Sequence, residues 1–170
     1  LGQSTGGAVV LSQCFRNQKV GLELPYDGVV LLAPLVRCAK WRWVKLAYKL
    51  GSPFLSFVRR NFAENSHDDN FNRFLVDEDI LQSRKLSVQW VGSMFEWAER
   101  CDGKKSLPIA ALVVQGTSDT VVDGRYNMGV LKRVLPQGKF LAVDGAMHHL
   151  ANESDAYRAP VFRAISEFLR

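Results

Sequence analysis

The sequence predicts an α/β fold in which a parallel sheet is covered by helices on both of its faces. Three short apolar runs indicate the sheet, because each run is unbroken and ends at a turn residue: residues 28–33, 109–115 and 139–143. Unbroken apolar strands of this length are typical of parallel sheets that are buried on both faces. Helix-like segments follow the last two runs, and this alternation of strand and helix indicates right-handed crossovers.

Three helices are predicted around this sheet. Apolar residues 8–11 indicate the start of a buried helix, residues 123–135 are helix-like, and residues 157–170 carry an apolar stripe at helical spacing. Pro160 fits the first turn of the last helix, where its missing N–H leaves no helical hydrogen bond unmade.

Residues 35–106 interrupt the alternation and are predicted to form an inserted helical cap. This segment is rich in aromatic side chains and has helical spacing in places. The remaining residues, 1–34 and 107–170, are predicted to form the α/β core. We expect several aromatic side chains of the cap to face a cleft over the core and to form a large apolar pocket there.

The composition is that of an ordinary globular domain, with 47% hydrophobic and 23% charged residues. No apolar run reaches the about 18 residues that a membrane-spanning helix needs, and no signal peptide is visible. The three cysteines, Cys14, Cys38 and Cys101, lack the number and spacing of a disulfide framework or a CxxC metal site. We therefore expect free thiols in a reducing, cytoplasmic compartment.

The net charge of +5 comes from one segment. No acidic residue lies between Val29 and Ala63, whereas seven of the 22 Lys and Arg residues do. The other 15 are outnumbered by 17 acidic residues, so no nucleic-acid partner is predicted. The basic aromatic segment 35–63 has two interpretations: it rests on anionic lipid at a membrane surface, or its aromatics line a pocket or core while its Lys and Arg stay solvated.

Residues 2–6 match the pattern G-x-S-x-G, with Ser4 at its centre. The pattern suits a sharp strand-to-helix turn that holds a nucleophilic serine at strained backbone angles, while the glycines leave room for neighbouring elements. The backbone N–H of Thr5 would then point at a developing oxyanion. Taken alone, the pattern also fits a glycine-rich turn with an exposed serine.

A serine nucleophile needs a base and an orienting carboxylate, and both follow the later strands. Asp119 lies four residues after the second apolar run, and His148 lies five residues after the third. The order Ser, Asp, His and the placement of each residue just past a strand fit a catalytic triad. We therefore predict that Ser4, Asp119 and His148 converge.

Some neighbouring residues offer alternatives. His149 is the competing base, and we expect it to be a supporting or surface residue. Asp123 is the competing acid, although it is better placed to cap the helix that begins there. The run His67-Asp68-Asp69 is a weak metal motif, because adjacent side chains rarely converge on one ion. We predict neither a metal nor a cofactor.

The blocks that carry these residues resemble those of a known group. GQSTGG, QGTSDTVVD and DGAMHHLANE are similar to the signature blocks of the monoacylglycerol-lipase and lysophospholipase-like α/β hydrolases, which are related to the serine aminopeptidases. The resemblance spans essentially the whole chain and implies an α/β-hydrolase fold with a helical cap. It implies that Ser4 is the nucleophile, Asp119 the acid and His148 the base, and that Asn152-Glu153 matches an Asn-Glu pair of the group.

The chain differs from this group at its front. Members have about five strands before or leading into the serine turn, and a His-Gly-type loop that supplies a second oxyanion donor, whereas Leu1 stands where the nucleophile's strand ends. We therefore expect a partial α/β-hydrolase fold that tends to self-associate. Apolar surface near Val9, Val10, Val29 and Leu31 should be exposed or covered by another chain.

The predicted function is a serine hydrolase that cleaves small-molecule carboxylic esters, preferentially those with a lipid-like acyl chain. Ser4 attacks the carbonyl, His148 accepts its proton and later activates water, and Asp119 orients the imidazole. The alternative is a non-catalytic fragment or binding module that retains the hydrolase scaffold.

Overall fold

The computed structural model describes residues 1–60, 64–103 and 105–170. In chain order its strands and helices are β1 (Gly2–Gln3), α1 (Thr5–Lys19), β2 (Gly28–Leu32), α2 (Trp41–Gly51), β3 (Phe57–Arg59), α3 (Asp69–Arg73), β4 (Lys85–Ser87), α4 (Val88–Asp102), β5 (Ala110–Gly116), α5 (Gly124–Val134), β6 (Gly138–Val143) and α6 (Asp155–Phe168). A π-helical turn (Phe74–Glu78) follows α3, and a 3-10 turn (Leu150–Asn152) precedes α6. No helix in these described ranges is both long and apolar enough to cross a membrane.

The main sheet is parallel, and its strand order is β1-β2-β5-β6. The three predicted apolar runs form β2, β5 and β6, which confirms the predicted sheet. The short strand β1 lies where the sequence placed the end of the nucleophile's strand. Because the strands are parallel, the loops that follow β1, β5 and β6 leave the sheet at the same edge.

Both faces of the sheet are buried, which explains why its strands are continuously apolar. Alternate side chains of β2 and β5 point to opposite faces. One set packs with α1, α4 and α5, and it comprises Val29, Leu31, Ala111 and Val113. The other set packs with α6, and it comprises Val30, Leu32, Leu112 and Val114. Full burial of one such aliphatic side chain contributes about 1.5–3 kcal/mol to stability.

The predicted apolar exposure near the front of the chain is wrong for two residues. Val29 and Leu31 are only 3% and 0% exposed, because α1 and α4 cover this face of the sheet. The prediction holds for Val9 on α1, which is 63% exposed, while Val10 is partly buried.

Between β2 and β5 the chain forms helices, as predicted, together with a small two-stranded sheet that was not predicted. In this sheet β3 pairs antiparallel with β4. At the C-terminal end of the segment, α4 joins the core, and the indole Nε1 of Trp97 donates a 2.7 Å hydrogen bond to the carbonyl oxygen of Leu35. The cap boundaries at residues 35 and 106 stay a prediction.

Some aromatic side chains of the basic segment 35–63 are packed against the core, and others are exposed. Trp41 and Tyr48 pack against Phe95, with ring centroids 4.8 and 5.1 Å apart. In contrast, Trp43 and Phe54 are 73% and 84% exposed. Both interpretations of the segment therefore stay open, and its last residues, 61–63, lie outside the described residues.

The prediction that Pro160 occupies the first turn of the last helix is wrong. The helix α6 begins two residues earlier than expected, because the carbonyl of Ser154 accepts hydrogen bonds from the N–H groups of Tyr157 and Arg158. Pro160 therefore lies in the second turn, where it cannot donate a hydrogen bond to the carbonyl of Ala156.

Candidate active site

Ser4 occupies a strained turn between β1 and α1. Its backbone angles are φ 51° and ψ −118°, a combination that residues with a Cβ adopt only at a cost of about 1–3 kcal/mol. The turn is held from both sides: Ser4 N donates to Leu32 O at 2.9 Å, and Ser4 O accepts from Leu35 N at 3.0 Å. The end of β2 and the loop that follows it therefore stabilise the serine in a conformation that it would otherwise avoid.

Only one of the two motif glycines lies where a side chain could not fit. A Cβ on Gly2 would lie 2.7 Å from the carbonyl carbon and oxygen of Gly6, whereas a Cβ on Gly6 would meet nothing within 4 Å. The tight position beyond the serine is Gly7, where a Cβ would lie 2.9 Å from the Cβ of Pro34. The expectation of a close approach at both motif glycines is correct for Gly2 and wrong for Gly6.

The N-terminus of α1 presents the backbone N–H of Thr5 beside Ser4. The first N–H groups of a helix have no partner within the helix, and the helix dipole makes this end favourable for negative charge. The Ser4 side chain does not cap α1, and no hydrogen bond to Thr5 N occurs among the described residues. The role of this N–H as an oxyanion donor stays a prediction.

Asp119 and His148 form a buried pair on the two following loops. Asp119 Oδ2 lies 2.8 Å from His148 Nδ1, and the side chains are only 1% and 5% exposed. Two backbone hydrogen bonds join the loops, from Thr117 N to Val143 O at 3.1 Å and from Ser118 N to Ala146 O at 3.0 Å.

Gly116, the last residue of β5, lets these two loops pass close to each other. A Cβ at this position would overlap the carbonyl oxygens of Ala146 and Met147. The histidine loop therefore lies directly on the end of β5, three residues before Asp119.

The Asp119 carboxylate accepts four hydrogen bonds. Its Oδ1 accepts from the N–H groups of Val121 and Val122 at 2.8 and 3.1 Å, and its Oδ2 accepts from Gln115 Nε2 at 2.8 Å as well as from His148. Burial alone would raise the pKa of Asp119, but the hydrogen bond and charge of His148 and the two N–H groups outweigh it, so the pKa lies below its usual value. An ionised carboxylate is an acceptor only, so His148 donates from Nδ1 and keeps Nε2 as its basic nitrogen.

Gln115 is a site residue that the sequence analysis missed. It is buried at the end of β5, and its amide nitrogen donates to Gly116 O as well as to Asp119. The available signal was a single amide side chain in an otherwise apolar strand, which requires a buried polar partner.

His149, the competing base, has different surroundings. Its Nδ1 lies 3.2 Å from Gln3 Nε2, and its ring meets Phe71 edge to face with centroids 5.0 Å apart. Burial, followed by the nearby charge of His148, lowers the pKa of His149 to about 4. Among the described residues no carboxylate is hydrogen-bonded to this ring, so His149 lacks the orienting partner that His148 has.

Asp123, the competing acid, is engaged elsewhere. It is the N-cap of α5, where its Oδ1 accepts from Tyr126 N at 3.1 Å. Its Oδ2 accepts from Arg37 Nη2 at 3.0 Å. The predicted capping role of Asp123 is therefore confirmed.

The His67-Asp68-Asp69 run does not converge on a common point. The His67 ring lies 3.1 Å from Glu153 Oε1, whereas Asp68 is the N-cap of α3 and accepts from Asn70 N and Phe71 N. Across residues 1–60, 64–103 and 105–170, no group of three or more His, Cys, Asp or Glu side chains could hold a metal ion.

The structure thus joins Asp119 to His148 directly and brings the Ser4 turn to the same edge of the sheet. A contact between Gln3 and His149 connects the Ser4 turn to the histidine loop, because Gln3 directly precedes Ser4 and His149 directly follows His148. Within the described residues, the Ser4 hydroxyl makes no hydrogen bond. Catalytic hydrogen bonds are often long in unliganded enzymes, and the Ser4–His148 bond stays a prediction.

A strained serine between a strand and a helix, on a parallel sheet flanked by helices, is characteristic of α/β hydrolases, and the chain has their fold. More particularly, it belongs to the serine aminopeptidase, S33, family, whose model matches residues 1–155. The resemblance stated from the sequence is confirmed. No curated protein sequence matches the chain significantly.

Two solved structures illustrate the likeness in fold. The monoacylglycerol lipase of Paleococcus ferrophilus has a TM-score of 0.77 at 22% identity, over 99% of this chain and 66% of that one. A soluble variant of the Saccharomyces cerevisiae monoglyceride lipase, in complex with a substrate analogue, has a TM-score of 0.80 at 15% identity, over 99% and 62%. The chain therefore spans less than two thirds of the length of these relatives.

The two motif glycines provide a matched pair of substitutions. Gly2→Ala should lower the free energy of unfolding by about 1–3 kcal/mol or more, because the new Cβ meets backbone atoms of α1. Gly6→Ala should be neutral or stabilising by up to about 1 kcal/mol, because Gly6 lies in a helix with open space around it. Urea denaturation of the complete gene product measures both, and equal effects of the two substitutions would contradict this account.

Proposed function

We propose that this chain carries the nucleophile, acid and base of a serine hydrolase that cleaves carboxylic esters. The main support is the buried 2.8 Å contact between Asp119 and His148, on loops at the sheet edge that also carries the strained Ser4 turn. Membership of the serine aminopeptidase family supports the same chemistry.

Acylation begins when Ser4 Oγ attacks the carbonyl carbon of the ester. The hydroxyl proton moves to His148 Nε2, and the negative charge on the carbonyl oxygen develops near Thr5 N–H. The tetrahedral intermediate then expels the alcohol, which takes the proton from His148. The products of this half-reaction are the free alcohol and an ester between the acyl group and Ser4.

Deacylation repeats these steps with water. His148 Nε2 takes a proton from water as its oxygen attacks the acyl carbon, and the proton then passes to Ser4 Oγ as the carboxylic acid leaves. Asp119 stays ionised throughout. It stabilises the imidazolium and keeps the neutral ring in the tautomer whose Nε2 can accept a proton, a role that Gln115 supports by donating to the same carboxylate oxygen.

The preferred substrate of this hydrolase is an ester with a lipid-like acyl chain. Two of the solved structures that share the fold are named monoacylglycerol or monoglyceride lipases. The region between β2 and β5 offers apolar side chains for an acyl chain, and its Phe71 already packs on His149, next to the proposed base.

A serine-directed fluorophosphonate tests the proposed chemistry on the complete gene product. The wild type should be labelled at Ser4, and Ser4→Ala should abolish the label. Asp119→Asn should slow labelling by about 10⁴-fold, because the wrong imidazole tautomer then faces the serine. The matched control is Asp123→Asn, which should stay within a few-fold of the wild type. Equal losses in the two variants would contradict the assignment of Asp119, and a wild type without label would favour the non-catalytic alternative.

A series of p-nitrophenyl esters with increasing acyl length tests the substrate class. The ratio kcat/KM should rise with acyl length up to about eight carbons or more, because each buried methylene contributes about 0.8 kcal/mol. Faster turnover of esters with short, charged acyl groups would contradict the lipid-like substrate but not the serine mechanism.

A further inference from the structure

Glu153 is a buried carboxylate that none of the catalytic steps uses. Its side chain is 0% exposed, and it lies directly after the 3-10 turn that follows the two histidines. A buried charge is costly unless it is hydrogen-bonded, and this one is surrounded by donors. They are Met147 N at 2.6 Å, His67 N at 2.7 Å, Ser154 N at 3.2 Å, Ser66 Oγ at 3.4 Å and His67 Nδ1 at 3.1 and 3.2 Å.

The Glu153 carboxylate accepts hydrogen bonds from two separate parts of the chain, and the His67 ring lies within reach of both of its oxygens. Oε1 accepts from the N–H of Met147, the residue directly before His148. Oε2 accepts from the backbone N–H of His67 and from the hydroxyl of Ser66, both in the predicted cap. One rigid side chain therefore connects the histidine loop to a segment that lies more than eighty residues earlier in the sequence.

Further contacts lie around this connection. Ser66 Oγ donates to Asn152 O at 2.7 Å, and His149 N donates to Asn65 O at 3.0 Å. The His67 ring stacks on Tyr157 of α6, with centroids 4.4 Å apart. Residues 65–67 are thus held against the chain on both sides of Glu153.

Glu153 carries its charge at neutral pH. Burial alone would raise the pKa of Glu153, but the N–H groups of His67, Met147 and Ser154 and the His67 ring outweigh it, so the pKa lies below its usual value. The ionised form, which accepts hydrogen bonds on both oxygens, is the form that these donors require.

We propose that Glu153 is a positioning residue for the hydrolase reaction: it fixes the backbone at Met147, and through it the imidazole of His148, while tying that loop to residues 65–67. This inference rests on the proposed function. On the sheet side, Ser118 N already holds the loop by its bond to Ala146 O. Glu153 holds the same loop through its hydrogen bond with Met147 N, so that Ala146 and Met147, the two residues before His148, are both fixed.

The reaction is sensitive to such positioning, because a displacement of about 1 Å in a reacting group can cost on the order of 10²-fold in rate. Glu153→Gln keeps the size of the side chain but replaces one acceptor oxygen with an NH₂ donor. In either orientation of the amide, that NH₂ faces backbone N–H groups, at Met147 or at His67 and Ser154. The substitution should therefore release one of the two segments that Glu153 connects.

The experiment compares Glu153→Gln with the wild type in the complete gene product, using p-nitrophenyl acetate and the fluorophosphonate. We expect kcat and the rate of Ser4 labelling to fall together by about 10–100-fold, with KM within about threefold. Glu167→Gln makes the same change at an exposed position of α6 and should leave both rates unchanged. Glu153→Asp keeps the charge on a shorter side chain and should give intermediate rates.

A spectroscopic readout separates positioning from a purely structural role. The proton between Asp119 and His148 should give a low-field NMR signal in the wild type, and that signal should shift or broaden in Glu153→Gln. A folded Glu153→Gln variant with wild-type kcat, labelling rate and signal would overturn the proposal, even if its melting temperature were lower.

Two further results complete the test. Should Glu153→Gln not fold, amide exchange in the wild type decides: Met147 N–H should be protected, and rapid exchange there would overturn the proposal. If the wild type itself is not labelled at Ser4, the proposed function fails. If the wild type is labelled and the folded glutamine variant is labelled equally fast, only the role of Glu153 fails.

Discussion

The parallel pairing of β1, β2, β5 and β6 is the constraint on which the candidate site depends. Parallel strands end at the same edge of a sheet, so residues far apart in sequence leave the sheet as neighbours. Ser4 follows β1, Asp119 follows β5 and His148 follows β6. The burial of apolar side chains on both faces of the sheet stabilises this arrangement.

Close backbone contacts at that edge determine which residues can occupy it. Gly2 lets β1 pass next to the start of α1, and Gly116 lets the histidine loop lie on the end of β5. The strain at Ser4 is sustained by hydrogen bonds to the backbone of Leu32 and Leu35. The geometry of the site therefore rests on backbone packing as much as on the three side chains proposed to react.

Two buried carboxylates flank the histidine loop, and both are held in the ionised form by hydrogen-bond donors. Asp119 contacts the His148 ring, whereas Glu153 contacts the backbone one residue earlier. In each case burial disfavours the charge, and N–H donors more than compensate for it. The two carboxylates thus have different roles. Asp119 orients the imidazole ring of His148, whereas Glu153 supports the backbone of the loop that carries it.

The sequence predicted the parts of the structure that depend on local patterns. Continuous apolar runs predicted β2, β5 and β6, and the positions of Asp119 and His148 after two of them predicted that these residues belong to one region. The two-stranded sheet of β3 and β4 was missed, because three-residue strands separated by more than twenty residues leave no local signal.

The remaining differences come from tertiary packing. Gly7, and not Gly6, is the tight position because Pro34 of a distant loop packs on it. Leu31 is buried because α1 and α4 cover its face, and Gln115 and Glu153 gain their roles from partners that only the fold brings near. No periodicity in a single sequence records such contacts.

Trapping the acyl-enzyme tests the central claim most directly. The complete gene product is mixed with a p-nitrophenyl ester, quenched within the first turnover, digested and examined by mass spectrometry. The account predicts a burst of about one p-nitrophenol per enzyme molecule, with the acyl group on the peptide that contains Ser4. Sustained turnover without acylation of Ser4, or an acyl group on another residue, would contradict it.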